Sequence, residues 1–254
     1  MEVHHHAHSE SGTDSHRSKR KWTHYFWEFF MLFLAVFLGM LAEYRLEHII
    51  EHQREKKYIR SLIRDLEMDI SSLQNSYDRR LVQMNYFDSL HDLLIRHDKD
   101  RTNDMYFYAR HINRHTNFQY HDRTIQQLKN SGNLRLIRNQ RAADSLTVYD
   151  NEKMKSSMIQ LDGEIENRRQ ITFNLSGKIF DSYTWRNMTD NTGRIIRPTS
   201  GTTLMTDDRA TLNEFSFRLV TLRGTLFFTN ASIESTIKSA KNLIALLKEE
   251  YRIK

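Results

Sequence analysis

Residues 22–66 read WTHYFWEFFMLFLAVFLGMLAEYRLEHIIEHQREKKYIRSLIRDL, and this stretch decides the architecture. Within it, Tyr25–Ala42 is an 18-residue apolar run with a single charge, Glu28. About 20 apolar residues cross a bilayer core, and Trp22 to Tyr44 supplies that length with aromatic residues at both ends. A secretory signal has a shorter apolar run, about 7–15 residues, and a small-residue cleavage site. Here Met40, Leu41, Glu43 and Tyr44 follow instead. The sequence therefore predicts three parts: a His-rich and basic tail over 1–21, an uncleaved transmembrane helix over 22–44, and a helical-bundle domain over 45–254.

Charge next to the span sets the expected orientation. Arg17, Lys19, Arg20 and Lys21 precede it, whereas only Arg45 lies within ten residues after Ala42. This places the N-terminus in the cytoplasm, although Arg54, Lys56, Lys57 and Arg60 offset the bias in a wider window. In a bacterium the span would sit in the inner membrane as a single pass, with the C-terminal domain periplasmic. Glu28 lies inside the span with His24 four residues before it on the same helical face, an intramembrane polar pair. Near the interface such a carboxylate can also snorkel to water. Ala35, Gly39 and Ala42 form a small-residue strip of the kind that permits close helix packing.

The rest of the chain reads as all-α. Of 254 residues, eight are Gly and one is Pro, about a third of the usual share. So few breakers argue against a β-sandwich, a barrel or a loop-rich α/β enzyme. The span is expected to run on as a helix to about 97. Its residues Ile59, Ile63, Leu66, Ile70, Leu73, Tyr77, Leu81 and Met84 follow heptad spacing with one four-residue slip. A second long helix is expected over 139–183, started by Asn139 and carrying Leu146, Tyr149, Met158, Leu161, Ile165, Phe173 and Ile179. A third is expected over 207–251, capped by Asp207 or Thr206, with apolar residues from Leu212 to Tyr251 at alternating spacings of three and four. Short helices fit 104–115 and 122–131, the latter stopped by Gly132. Residues 187–206, with the only Pro, form the one long loop. Heptads of this kind serve either a bundle within one chain or a coiled coil between chains.

Zero cysteine excludes disulfides, thiolate metal sites and thiol catalysis. The net charge of +6 lies wholly in residues 43–254, where 34 basic residues face 28 acidic ones. Much of it falls in 101–141, with Tyr106, Phe107, Tyr108, Phe118 and Tyr120 interleaved. Nucleic acid is one partner for such a segment. A solvated helix face around core aromatics fits it better, and the membrane span argues further against nucleic acid. Anionic lipid would use the same charge.

Thirteen histidines offer metal chemistry. His4, His5, His6 and His8 cluster in the tail, where neutral imidazoles bind Zn, Ni or Cu. His48 and His52 form an i, i+4 pair with Glu51 beside them, a partial ligand set that another chain would have to complete. His111 and His115 repeat that spacing as HINRH, but Ile112 stands where a zinc protease has its general-base Glu. His121 has no carboxylate partner determined by sequence. No phosphate loop, nucleophile elbow or paired-carboxylate motif is present, so catalysis is not expected and no cofactor is implied.

Two stretches carry a resemblance. The opening HHHAH with residues 19–70, which include Glu55-x-x-Tyr58-Ile59-x-x-Leu62, resembles a domain-of-unknown-function group of uncharacterised bacterial single-pass membrane proteins. TIQQLKNSGNLRLIRNQRAADSLTVYD, Thr124 to Asp150, is similar to that group's L-x-S-S-G-x-L-x-L-I-x-N turn, with Asn130 where Ser is usual. The resemblance implies a membrane-anchored helical extracytoplasmic domain and supplies no functional residue. The function expected is therefore that of an interaction protein: a scaffold or accessory subunit of a membrane complex, homo-oligomeric or bound to other membrane proteins. The alternative is a periplasmic ligand-, metal- or pH-sensing domain coupled through the membrane helix.

Overall fold

From Trp22 onward, Glu55 is the first residue of the long N-terminal helix to be buried, and it marks the division of the chain into two compact units, Met1–Arg54 and Glu55–Lys254. The boundary falls ten residues beyond the end expected for the span, because residues 45–54 remain almost entirely exposed. The computed structural model describes residues 15–115 and 118–253, with the side chains of 15–21, 152, 153, 155 and 156 left out. Helix α1 runs Ser15–Arg96 without a break. No Pro or Gly interrupts it after Gly39. It ends where His97 takes a left-handed φ of 50°, a helix-stop conformation.

In the first unit, α1 holds a segment long and apolar enough to cross a membrane. Its side chains are exposed on all sides, with only Leu34 half-covered. Phe29, Phe33 and Phe37 stack in a ladder one turn apart.

The second unit is all-α. Helices α2 (Thr102–Arg110), α3 (Arg123–Asn130) and α4 (Gln140–Val148) are short. From α4 the chain continues through a π-helical turn at Tyr149–Met154, α5 (Lys155–Ile171), a second π turn at Thr172–Ser176 and α6 (Gly177–Ile179). A single turn, α7 (Ser182–Arg186), precedes the irregular segment, and α8 (Arg209–Tyr251) closes the fold. Asn139 caps α4 by accepting from Ala142 N at 2.9 Å. Asp208, not Asp207 or Thr206, caps α8 by accepting from Thr211 N at 2.9 Å. Helix α2 stops at Arg110, five residues short of the expected end.

Contacts place α8 antiparallel to the second-unit part of α1: Tyr251 meets Glu55, Lys248 meets Glu67, Asn230 meets Tyr77 and Arg223 meets Asp88. One core cluster joins Phe87, Leu90 and Leu94 of α1 with α2, Leu175, Ile179 and Leu212–Leu226 of α8. Another joins Ile59–Leu66 with α3, α4 and Leu243–Tyr251. A third, Leu73, Ile233 and Ile237, shares Ile70 and Phe118 with the second.

Two expected apolar stripes are corrected by polar side chains. On α1 the apparent slip at Tyr77 and Leu81 is not a slip. Leu73, Ser76, Arg80, Gln83, Phe87 and Leu90 are all buried and keep alternating three- and four-residue spacing, so Arg80 occupies the core position while Leu81 is exposed. On α5 the expected Met158, Ile165 and Phe173 are exposed, and Phe173 is 79% accessible. The buried face carries Met154, Ser157, Glu164, Arg168, Ile171 and Leu175. Each π turn adds a residue and rotates the following face, so the stripe extrapolated from Leu146 and Tyr149 drifts out of phase.

Residues 187–206 are strapped onto α2. Tyr106 OH donates to Thr203 O at 3.1 Å and accepts from Asp181 N at 2.7 Å. Asn103 Nδ2 donates to Pro198 O at 3.2 Å. The Arg197 guanidinium lies 4.2 Å from the Phe107 ring and pairs with Asp104. Thr189 and Ile195 form an isolated antiparallel bridge around Gly193.

Candidate functional site

Four sets of polar side chains tie together segments of the bundle that are distant in sequence. The first lies where α1 enters the bundle. Glu55 Oε1 accepts from Arg138 N at 2.8 Å and from Tyr251 OH at 2.6 Å. Burial and the Glu55 carboxylate push the Tyr251 phenol well above its ordinary pKa. Gly132, at φ 67°, reverses the chain between α3 and the Asn139 cap, which carries the Arg138 amide onto Glu55. The E-x-x-Y-I-x-x-L stretch and the Gly132 turn therefore meet in space, and Asn133 Nδ2 reaches Tyr58 OH at 3.5 Å.

The second tie is Asp69. Its Oδ1 accepts from His121 N at 2.8 Å and lies 3.0 Å from His121 Nδ1, while Oδ2 accepts from Tyr149 OH at 2.9 Å. Burial raises the Asp69 pKa against the lowering pull of these bonds. Burial, with Asp69 as neighbour, drives the Tyr149 phenol far upward. Asp65, one turn earlier, accepts from Thr124 N at 3.1 Å and from Thr124 Oγ1 at 2.5 Å. The third tie is Asp150, which receives Tyr120 OH and Lys129 Nζ.

The fourth tie is ionic and central. Arg80 Nε donates to Glu164 Oε2 at 2.8 Å. Arg168 donates Nε and Nη2 to Glu164 Oε1 at 3.0 and 2.8 Å, Nη2 to Gln83 Oε1 at 2.8 Å, and Nη1 to Ile112 O at 2.5 Å. Arg80 Nη1 donates to Ser76 O at 3.0 Å. Burial lowers the Arg168 pKa against the opposing pull of Glu164.

The histidines singled out by sequence separate. His4, His5, His6 and His8 lie outside the described residues. His24 and Glu28 sit 3.4 Å apart, as their spacing predicts. His48 stacks on Tyr44 with ring centroids 6.2 Å apart, and His52 lies one turn beyond it. His111 Nδ1 bonds to Phe107 O at 2.8 Å and its ring packs on Tyr86 and Phe107. Burial lowers its pKa. His115 lies past the end of α2, so the HINRH spacing forms no helical face. His121 gains the carboxylate partner, Asp69, that sequence alone could not assign. Among the described residues, no group of three His, Cys, Asp or Glu side chains is arranged to hold a metal.

The basic residues of 101–141 are largely spent within the chain. Arg101 pairs with Asp104, Arg110 lies over the Trp185 ring, Arg114 donates to Gly193 O, Lys129 pairs with Asp150, and Arg138 and Arg141 face Glu55 and Glu250. Beside Asp69 and His121 the cavity is about 10 Å³, room for about one water molecule. A cleft of about 150 Å³ lies between Leu94, Met105, Thr203 and Leu212, with the Lys99–Asp207 ion pair, 2.8 Å, in its wall. Ligand pockets run to about 300–1,000 Å³. Two open clefts reach the lower end of that range, about 300 Å³ beside Asn167 and Phe217 and about 400 Å³ beside Tyr77 and Lys241. Comparison of the chain with known families, characterised proteins and solved structures finds no match.

Proposed function

We propose that this protein is a membrane-anchored helical-bundle interaction protein, a scaffold or accessory subunit of a membrane complex, without catalysis of its own. One observation carries the reading. Helix α1 supplies both an apolar segment with bare side chains and a bundle whose buried ionisable groups, Glu55, Asp69, Arg80, Glu164 and Arg168, are engaged in holding the chain together. Chemistry of that kind holds surfaces in position. The resemblance of the Glu55 and Gly132 stretches to single-pass bacterial proteins supports an inner-membrane location. The four basic residues before Trp22 favour a cytoplasmic N-terminus and a periplasmic bundle.

Two measurements test the reading. The full chain should remain in the membrane pellet after carbonate extraction, and release into the supernatant would overturn the anchor. Purified in mild detergent, it should carry a stoichiometric protein partner or further copies of itself. Particles of one chain alone, with nothing bound, would overturn the interaction role.

A second reading, a pH- or metal-responsive periplasmic domain, is favoured by the bond between part-exposed His121 and buried Asp69. Under that reading, a change in pH alters partner binding in the wild type and not in Asp69→Asn, since burial raises the Asp69 pKa.

A further inference from the structure

Within the first unit, helix α1 has two unlike faces. Phe26 stacks on Phe30 and Phe33 on Phe37, with ring centroids 6.3 and 5.9 Å apart, and these four rings share one side of the apolar segment. The opposite side carries Glu28, Ala35, Gly39, Ala42, Leu46 and Ile49, at intervals of seven, four, three, four and three residues. At 3.6 residues per turn these six lie within a sector of about 80°.

Three features of this face each call for a neighbour. Ionisable residues within a span face other helices or water rather than lipid, and Glu28 is the single charge between Tyr25 and Ala42. Ala35, Gly39 and Ala42 let a second backbone come close. Past Tyr44 the helix leaves the apolar segment, yet Leu46, Ile49 and Ile50 remain 59, 55 and 39% exposed. They are the only aliphatic residues among 45–54, and all three lie on this side of the helix. A short helix in water gains most of its stability by packing such a face, and the chain itself leaves it bare.

We infer that this face joins two copies of the chain, paired in parallel and in register through α1. Both copies insert the same apolar segment into one membrane, so α1 points the same way in each, and a two-fold axis along the membrane normal closes the pair. Alternating three- and four-residue intervals are those of a left-handed helix pair. No Pro or Gly interrupts α1 after Gly39, so one register runs from the small residues to Ile49. A different membrane protein would need small residues at the same depth, whereas a second copy supplies them by identity. The phenyl rings are left to the lipid. His24 and Glu28, 3.4 Å apart in one chain, come together from both copies, so each carboxylate has an imidazole beside it away from lipid. The pairing rests on the membrane anchor proposed above and gives the interaction role its first partner.

Single-cysteine variants of the full chain in membranes test it, since the natural chain has no cysteine. Under copper-phenanthroline oxidation, Ala42→Cys, Leu46→Cys and Ile49→Cys should each give a two-chain band on a non-reducing gel. Met40→Cys, Tyr44→Cys and Glu47→Cys, on other faces, should stay at one chain. Gly39→Leu holds the backbones apart and should abolish the Leu46→Cys band. Carbonate extraction after oxidation reads the anchor separately: release of the chain would overturn the anchor and the pairing with it. A retained chain that forms no cross-link, cross-links equally on every face, or cross-links only at Met40→Cys, Tyr44→Cys and Glu47→Cys would overturn the pairing alone. So would a Leu46→Cys band that Gly39→Leu leaves intact.

Discussion

Arg80 and Glu164 form an ion pair at 2.8 Å with both side chains closed off from solvent. The same carboxylate also takes two bonds from Arg168, so one buried anion holds two buried cations. Removing it leaves both guanidiniums unpaired in a low-dielectric interior. Breaking a buried pair from one side costs about 3–5 kcal/mol. Glu164→Ala is therefore expected to lower unfolding stability by at least that range, measured by urea titration in detergent. Replacing the three residues together, Arg80→Met, Glu164→Leu and Arg168→Met, should cost less than Glu164→Ala, since no charge is then left buried.

The contact between Tyr251 OH and Glu55 Oε1 closes the bundle across 196 residues of sequence. Tyr251→Phe removes the donor, while Arg138 N still satisfies Glu55. The expected loss is about 1–2 kcal/mol. Hydrogen exchange should show it as faster opening of the last turns of α8 and of the Gly132 turn, with the Leu212 end of α8 unaffected.

Backbone conformation separates two positions. Gly132 has a φ of 67° and room for a Cβ, so Gly132→Ala meets only the left-handed penalty, about 1–2 kcal/mol. His97 holds a similar φ of 50° with a side chain. His97→Gly should therefore raise stability, by up to about 1 kcal/mol. Thermal melts of the two variants should shift in opposite directions.

Two titrating groups give stability opposite slopes with pH. The folded pKa of His111 lies below its ordinary 6.5, because burial disfavours the imidazolium. Between that value and 6.5 the unfolded chain binds the extra proton, so stability falls as pH drops through the window. Asp69 has its folded pKa raised above 3.8, again by burial. There the folded state keeps the proton longer, so stability falls as pH rises from about 3.8 through the folded value. Melting temperature against pH should lose the first slope in His111→Gln and the second in Asp69→Asn.

Much of the fold was legible along the chain. The α8 core stripe from Leu212 to Tyr251, the Asn139 cap and the Gly132 stop all match the structure, because each depends on residues within one or two turns. The α5 stripe failed for a physical reason. Ser157, Glu164 and Arg168 face inward, and a reading that sends polar residues outward cannot see a core position occupied by a paired charge. Arg80 disguised the α1 heptad in the same way.

The sequence by itself determined the helices, the apolar span and the absence of thiol chemistry, since hydrophobic spacing, breakers and composition act locally. Only the tertiary structure decided which charges are buried and with whom. Asp69 meets His121 across 52 residues, Arg80 meets Glu164 across 84, and Glu55 meets Tyr251 across 196. No local pattern encodes such pairs, because a buried charge is tolerated only where packing brings its partner to it.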